Sequence, residues 1–537
     1  MATSGDARQE GSVTGDSGDH RPSLRLGIPA RALAGVLSAG VVLGIGELVA
    51  VPFGSSASPF FAVGSTTVDR SPAWAREIAI TAFGTNDKAA LFIGMSILIA
   101  VFAAVAGVVE RPRRPYGSIV LVVLGLVGVY AALSRPGATP VDALPTIVGV
   151  AAGILTLRLL TCRAPERDEA GHTPAPTLAG VSRRRFLTVA STAAAVAVAA
   201  GVAGRHLAGS IAGAVRNRMA FVLPLVGMSD RAPAVASGTE IAVPGATSFV
   251  TGNNVFYRID TALQVPMLTT DDWSLRIHGM VDREITLSWR DLMARTPIER
   301  TITLTCVSNE VGGDLAGTAT WVGYPIKDLL DEAGISPDAD MLLSTSADGF
   351  TVGTPIDILR DGRDALLAVT MNGEPLPFEH GYPARQVVPG LYGFVSATKW
   401  VVDWEVTRFD RAQAYWTRRG WAEKAPIKTA SRIDVPASFA RVSAGEVLVA
   451  GTAWAQHRGI SRVEVRVDDG PWADATLAEE YSIDTWRQWY WRWQAVPGTH
   501  TLQVRATDKD DEVQTEVRVE PIPDGASGWH TRSVTVV

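Results

Sequence analysis

Long apolar runs fill the first third of the chain, and short alternating segments fill the rest. The runs 30–51, 89–109, 117–133 and about 143–160 each approach the roughly 20 residues that cross a bilayer core, so 30–161 reads as four transmembrane helices. A fifth run, rich in Ala and Val, ends the segment 182–204. A linker containing Pro and Gly follows at 205–244. From there the pattern turns polar with mixed periodicity: strands at 273–277 and 403–407 alternate with helices at 288–295 and 326–333, as in an α+β domain over 245–433. Beyond 434 short strands recur at 446–454, 461–467, 489–495, 499–506 and 533–537, with Asp469-Gly470 as a hairpin turn. This spacing predicts an Ig-like β-sandwich over 434–537. The fold class is therefore multi-domain: transmembrane helices, an α+β domain, then a sandwich.

Charge orients the helices. Arg111, Arg113 and Arg114 lie between the second and third runs, and Arg163, Arg167 and Arg183 to Arg185 follow the fourth. By the positive-inside rule these loops and the amino terminus face the cytoplasm, while 55–88 and 134–142 lie outside. Residues 1–29, rich in Gly, Ser, Asp and Arg, have too little apolar surface to fold and read as a disordered cytoplasmic tail. Glu47 interrupts the first run near its end. The motif Ser182-Arg183-Arg184-Arg185-Phe186-Leu187 looks like an internal twin-arginine export signal. The other reading is a set of arginines that anchors the fifth helix; both place the following domains outside the cytoplasmic membrane of a bacterium. The net charge of −6, with no basic stripe, argues against a nucleic-acid partner.

Only Cys162 and Cys306 occur, in segments of opposite character, and no CxxC is present. A disulfide scaffold or a cysteine-built metal cluster is thereby excluded. Ile302-Thr303-Leu304-Thr305 alternates into Cys306, and Gly312, Gly313 and Gly317 follow in a polar loop, which presents a thiol at a strand end. Such a cysteine is either a small buried hydrophobe or a thiolate that binds a metal or attacks a substrate.

The surroundings of Cys306 resemble a known family. Cys306-Val307-Ser308-Asn309, then Trp321-Val322-Gly323-Tyr324-Pro325, together with Asn254 to Asp260 (NVFYRID) and Gly381 to Gly393 (GYPARQVVPGLYG) closed by Lys399-Trp400, is similar to the core of the sulfite oxidase family of molybdopterin enzymes. The resemblance covers about 244–537. It implies a molybdenum–molybdopterin cofactor with Cys306 as the metal's protein ligand and the catalytic residue, a soft ligand that suits such a metal. It also implies cofactor contacts from Asn254, Tyr257, Arg258, Ser346, His380, Arg385, Ser396 and Lys399, since a phosphate and a flat polar ring need cationic and amide donors. The sandwich, with its closing Gly525 to His530 (GASGWH), resembles the family's dimerisation domain, so a homodimer is expected. Trp489, Trp491 and Trp493 share one strand face and read as core or interface packing rather than a ligand platform.

None of the eight histidines lies within the first four helices, so no haem is expected there and electrons have to leave through an external carrier. The family default is oxo transfer with sulfite. The resemblance implies arginines just after the Asn of the cysteine motif, which suit an oxyanion; Glu310 and Val311 stand there instead, which keeps reduction of a neutral S-oxide or N-oxide open as the rival. Two readings from other classes remain: Ser396-Ala397-Thr398-Lys399 fits an S-x-x-K acyl-transfer pattern without its companion motifs, and the chain can be read as a membrane-anchored scaffold without enzymatic activity.

Overall fold

The computed structural model describes residues 27–53, 57–72, 75, 78, 82–83, 87–135, 138–161, 183–207, 210–224, 228 and 230–537. The expected tail, most of it in 1–26, lies outside the described residues, as do Cys162, Arg163, Arg167 and Ser182. The chain falls into two compact units. One is helical and ends at Leu207; the other is Ala208–Val537 with the short segments Ser71–Ile78 and Arg135–Gly137.

The helical unit contains α1 (Ile28–Ala50), α2 (Pro59–Arg70), α3 (Asp87–Val109), α4 (Tyr116–Leu133), α5 (Leu144–Thr161) and α6 (Arg183–Leu207). Five helical stretches, Ile28–Phe53, Lys88–Val109, Tyr116–Leu133, Pro140–Thr161 and Phe186–Gly204, are long and apolar enough to cross a membrane. Helix α2 lies within the segment expected to be an outer loop. Helix α1 packs on α3, α5 and α6 through small residues that let backbones approach. A Cβ on Gly35 would sit 1.8 Å from the Ala103 carbonyl oxygen, and one on Gly107 would sit 2.0 Å from that of Arg31. Glu47 accepts a hydrogen bond from the Ser58 hydroxyl. The more enclosed acid is Glu110, which the Ser118 amide and hydroxyl both bond at 2.7 and 3.0 Å.

The second unit opens with α7 (Ser210–Met219), inside what reads from sequence as linker. Ten residues with weak periodicity give little signal; docking holds this helix. Tyr382 donates its hydroxyl to Asn217 Oδ1 at 2.6 Å, and Arg218 Nε donates to the Leu376 carbonyl at 2.8 Å.

Two sheets form the first lobe. One has the order β2 (Ile285–Ser288), β1 (Ser274–Gly279), β10 (Val401–Thr407), β5 (Met341–Ser346), β6 (Thr351–Pro355), with β1 and β10 parallel. The other runs β3 (Ile298–Thr305), β4 (Ala316–Pro325), β7 (Leu366–Met371), β8 (Glu374–Pro375), and β9 (Arg385–Val387) also pairs with β7. Strand β7 is buried on both faces, so it reads as a continuous apolar run: Leu367 and Val369 join one core cluster, Leu366 and Ala368 another. Short helices α8 (Trp289–Met293), α9 (Ile326–Ala333) and α10 (Ile356–Arg360) connect the strands. In α9 the buried residues are Ile326, Leu329, Leu330 and Ala333, one helical stripe, and Gly334 ends it at φ 71°. Strand β3 divides by parity: Ile302 and Leu304 enter a core cluster, while Thr301 and Thr303 bond Thr320 and Thr318 across the strand pair.

In the second lobe the sheet β11 (Ala430–Val435), β13 (Gly445–Trp454), β17 (Arg487–Ala495), β16 (Thr476–Leu477) faces the sheet β12 (Ala440–Val442), β19 (His530–Val536), β18 (Gly498–Asp508), β14 (Ile460–Val467), β15 (Ala473–Asp474). Both contribute to a single core: Val449, Trp489 and Trp493 from the first, Val463, Leu502, Val504 and Val534 from the second. Trp491 packs against that core, partly buried.

Candidate active site

Cys306 sits directly after β3, and the loop it opens is closed on itself. Its amide donates to the Leu315 carbonyl at 2.9 Å, the Asn309 amide donates back to the Cys306 carbonyl at 3.1 Å, and Asn309 Oδ1 accepts from the Leu315 amide at 2.9 Å. Gly312, at φ 80°, makes the turn. The thiol is 8% exposed. Burial raises its pKa, against which the Ser308 amide and hydroxyl and the Lys399 ammonium favour the thiolate.

The thiol opens into a cavity of about 140 Å³. Elements from distant parts of the chain converge there: Tyr257 and Asp260 from the loop before β1, Ser346 from the end of β5, Arg385 from the start of β9, and Lys399 from the turn before β10. Trp400, next to Lys399, adopts φ 50°, unusual for a bulky residue. Its indole donates to the Phe378 carbonyl at 2.8 Å and its own carbonyl accepts from the Ala347 amide at 2.8 Å, which hold that backbone.

Arg385 carries the main electrostatic feature. It is 4% exposed, Nη1 donates to the His380 carbonyl at 3.1 Å, and the guanidinium lies 5.1 Å from the Trp321 ring centre. Its Nε has no partner, and burial pulls its pKa down to about 10. An enclosed cation without a carboxylate opposite it is costly until an anion arrives. Lys399 is better served: Asp260 Oδ2 lies 3.1 Å from Nζ, although burial still brings its pKa down to about 8.

Five of the residues expected from sequence line the cavity: Cys306, Tyr257, Ser346, Arg385 and Lys399. His380 lies behind Arg385. Its Nε2 is 3.3 Å from the Asn253 carbonyl, its ring meets Phe256 edge to face, and burial beside Arg385 and Lys399 keeps it neutral, with a pKa near 3. Its Nδ1 has no donor. Three residues are not brought to the lining. Asn254 is exposed while its neighbour Asn253 turns inward to bond Met371 and Asn372. Arg258 is exposed and pairs with Asp260 at 2.8 Å. Ser396 is buried and donates to the Tyr392 carbonyl at 2.9 Å.

Glu310, expected as an acid beside the metal, is exposed and outside the lining; Asp260 and Asp348 are the carboxylates there. Sequence reasoning also missed an aromatic wall of Phe350, Phe394, Trp416 and Trp421. Phe394 and Trp421 lie 5.6 Å apart and Trp416 and Trp421 5.9 Å. Only the density of aromatics at 415–421 hinted at it.

Among the described residues no three His, Cys, Asp or Glu side chains cluster as a metal site. The donor Arg385 Nε and the acceptor His380 Nδ1, both buried and unpaired, suit a group that carries both an anion and a polar ring.

A family model described as oxidoreductase molybdopterin binding domain matches residues 262–416. Mitochondrial sulfite oxidase of Rattus norvegicus is 30% identical over 352 residues, 54% of this chain and 62% of the relative. The uncharacterized oxidoreductase YuiH of Bacillus subtilis (strain 168) is 32% identical over 149 residues, 28% of this chain and 72% of that protein. Among solved structures, the sulfane dehydrogenase SoxCD from Paracoccus pantotrophus aligns over 54% of this chain and 82% of its own with 24% identity and a TM-score of 0.48. The chain spans less than two thirds of the mitochondrial sulfite oxidases it matches. On the matched domain, and on a cysteine-centred cavity whose buried, unpaired Arg385 donor suits its cofactor, the chain belongs to the sulfite oxidase family of molybdopterin-dependent oxidoreductases.

Proposed function

We propose that this chain catalyses oxygen-atom transfer to or from a neutral substrate at a molybdenum–molybdopterin centre. The cofactor supplies the two-electron oxo-transfer chemistry when bound; the chain supplies a thiolate and a shaped, charged cavity. Cys306 provides the soft ligand, and hydrogen bonds from the Ser308 amide and hydroxyl favour its thiolate against the effect of burial. Arg385 and Lys399 would hold the anionic and polar edges of the cofactor, with Tyr257 and Ser346 as further partners in the lining and the carbonyl of His380 steadying the Arg385 guanidinium from behind. Asn254, Arg258 and Ser396 have no direct part in this arrangement.

The observation that carries the substrate reading is the lining. Among the described residues its only cations are Arg385 and Lys399, both assigned to the cofactor, and its other features include two carboxylates and the aromatic wall of Phe350, Phe394, Trp416 and Trp421. Aromatic walls favour a substrate with an apolar body and a dipolar oxide, such as an S-oxide or N-oxide. An oxyanion meets the Asp348 carboxylate, while Asp260 is already paired with Arg258 and Lys399. Sulfite stays as the second reading, since the relatives named above include sulfite oxidase. The cofactor-loaded chain, assayed with sulfoxides and N-oxides under a reduced artificial donor and with sulfite under an artificial acceptor, decides between them. Turnover of a sulfoxide with a lower KM than sulfite is expected; saturable sulfite oxidation without sulfoxide turnover overturns the reading.

The five apolar helices then anchor the protein in a bacterial cytoplasmic membrane, with Arg111, Arg113 and Arg114 on the cytoplasmic side and the catalytic unit outside. An external carrier exchanges electrons with the centre, and the sandwich offers a homodimer surface of the Ig-like kind.

A further inference from the structure

Strand β3 is the edge of its sheet, yet its outer side is not left open. The Thr303 amide donates to the Asp484 carbonyl at 3.0 Å, the Trp486 amide donates to Thr303 Oγ1 at 2.8 Å, and Gln456 Nε2 donates to Thr305 Oγ1 at 2.9 Å. All three partners belong to the sandwich lobe. The same lobe holds the loop that Cys306 opens. Arg432, on β11, is 6% exposed, and all three of its guanidinium nitrogens donate hydrogen bonds. Nε bonds Asp434 Oδ1 at 2.7 Å, Nη2 bonds Thr247 Oγ1 at 3.1 Å, and Nη1 bonds the Gly313 carbonyl at 2.7 Å. His530, on β19, accepts the Ile433 amide on Nδ1 at 2.9 Å, and its ring lies on Gly312, where an added Cβ would be 2.2 Å from Cδ2.

We propose that the C-terminal sandwich sets the position of the Cys306 thiol, with Arg432 as the positioning residue that fixes the far side of the cysteine loop. It rests on the reading of Cys306 as the metal ligand. The loop has two anchors, the end of β3 and the Gly312-Gly313 turn, and this lobe holds both. Asp434 and Thr247 hold the guanidinium through Nε and Nη2, so the fork delivers Nη1 to a single loop carbonyl. A ligand held this way keeps its geometry without a contact of its own in the cavity.

The test uses the full chain. In Arg432→Gln, amide exchange across 306–315 in the cofactor-free protein speeds up by about tenfold or more while β13 and β17 keep their protection. With cofactor bound, the variant keeps its molybdenum, its Mo(V) EPR line positions shift, and kcat falls about tenfold with KM within about threefold, as expected for a misplaced reacting group. Arg432→Lys, which retains a donor for Gly313, moves each readout less. If Arg432→Gln does not fold, Gln456→Ala, which frees Thr305 and leaves the fork intact, has to give the same changes in exchange and EPR. Exchange and spectra like the parent's in a folded variant overturn the proposal. A Cys306→Ser chain with unchanged EPR lines overturns instead the ligand reading beneath it.

Discussion

Lys399 Nζ lies 3.1 Å from Asp260 Oδ2, and both line the cavity that Cys306 enters. Burial outweighs this partner and lowers the Lys399 pKa from 10.5 to about 8. Between those values the unfolded chain still holds a proton that the folded chain has released, so the cofactor-free fold gains stability as pH rises through the window; below about 8 the penalty is complete. The melting-temperature deficit of the cofactor-free parent relative to Lys399→Met should therefore shrink from pH 8 to 10.5. Cofactor retention should follow the opposite course, because the cation proposed to hold the cofactor is lost over the same range. In Asp260→Asn both transitions move to lower pH. A deficit that does not vary with pH would show that Lys399 stays charged throughout.

Arg385 separates stability from binding. Its buried guanidinium has a carbonyl, a ring face and no carboxylate, so its replacement by an apolar group of similar length removes a desolvated charge. Arg385→Met is expected to melt higher than the parent without cofactor, by about 1 to 3 kcal/mol in stability, and to hold far less molybdenum after reconstitution. Calorimetry and metal analysis on the same preparations check both signs. A variant that melts lower than the parent without cofactor contradicts the unpaired cation.

What was legible in the sequence is what local pattern dictates. The alternation of Ile302 to Thr305 into Cys306 marked the strand and the thiol at its end, and the stripe in 326–333 marked a helix. Trp489 and Trp493 showed their shared face by spacing alone. The cavity was legible only where motif residues happen to point inward. Asn253 and Asn254 are chemically identical neighbours, and which of them faces inward is set by the turn at 252–256 that precedes Phe256. Glu310 follows Asn309 in sequence, but the tight loop closed by Asn309 and Leu315 turns it to solvent. Trp416 and Trp421 reach the cavity through long-range packing that no periodicity announces. Helix α7 depends on Tyr382, far along the chain, for its docking.

Within the helical unit, α1 and α3 touch at Gly35 and Gly107, where backbone meets backbone. A methyl group at Gly35 overlaps the Ala103 carbonyl, and no side-chain rotation relieves it. Gly35→Ala should separate the two helices and lower the thermal stability of the detergent-solubilised full chain by several degrees, with the molybdenum content per chain unchanged. Gly94, on the partner helix α3 with nothing near its added Cβ, is the control: Gly94→Ala should be neutral or slightly stabilising. Equal melting behaviour of the two variants contradicts the close packing.

Trp421 is the member of the aromatic wall that tests the proposed substrate reading. It joins Phe394 at 5.6 Å and Trp416 at 5.9 Å, is half-buried, and lines the cavity without a hydrogen-bonding role toward Cys306 or Arg385. Its truncation therefore removes apolar contact area and leaves the residues assigned to the cofactor in place. For an aryl or alkyl sulfoxide, Trp421→Ala should raise KM about tenfold, the loss expected from one ring face, with kcat within about threefold because binding is lost equally in the ground and transition states. Trp421→Arg should do the same to the sulfoxide and lower KM for sulfite, since it adds a cation that the native lining lacks outside Arg385 and Lys399. Steady-state kinetics on the two substrates read both effects. If Trp421→Ala leaves sulfoxide KM unchanged, the wall does not contact substrate, and if Trp421→Arg fails to favour sulfite, missing positive charge is not what sets the preference.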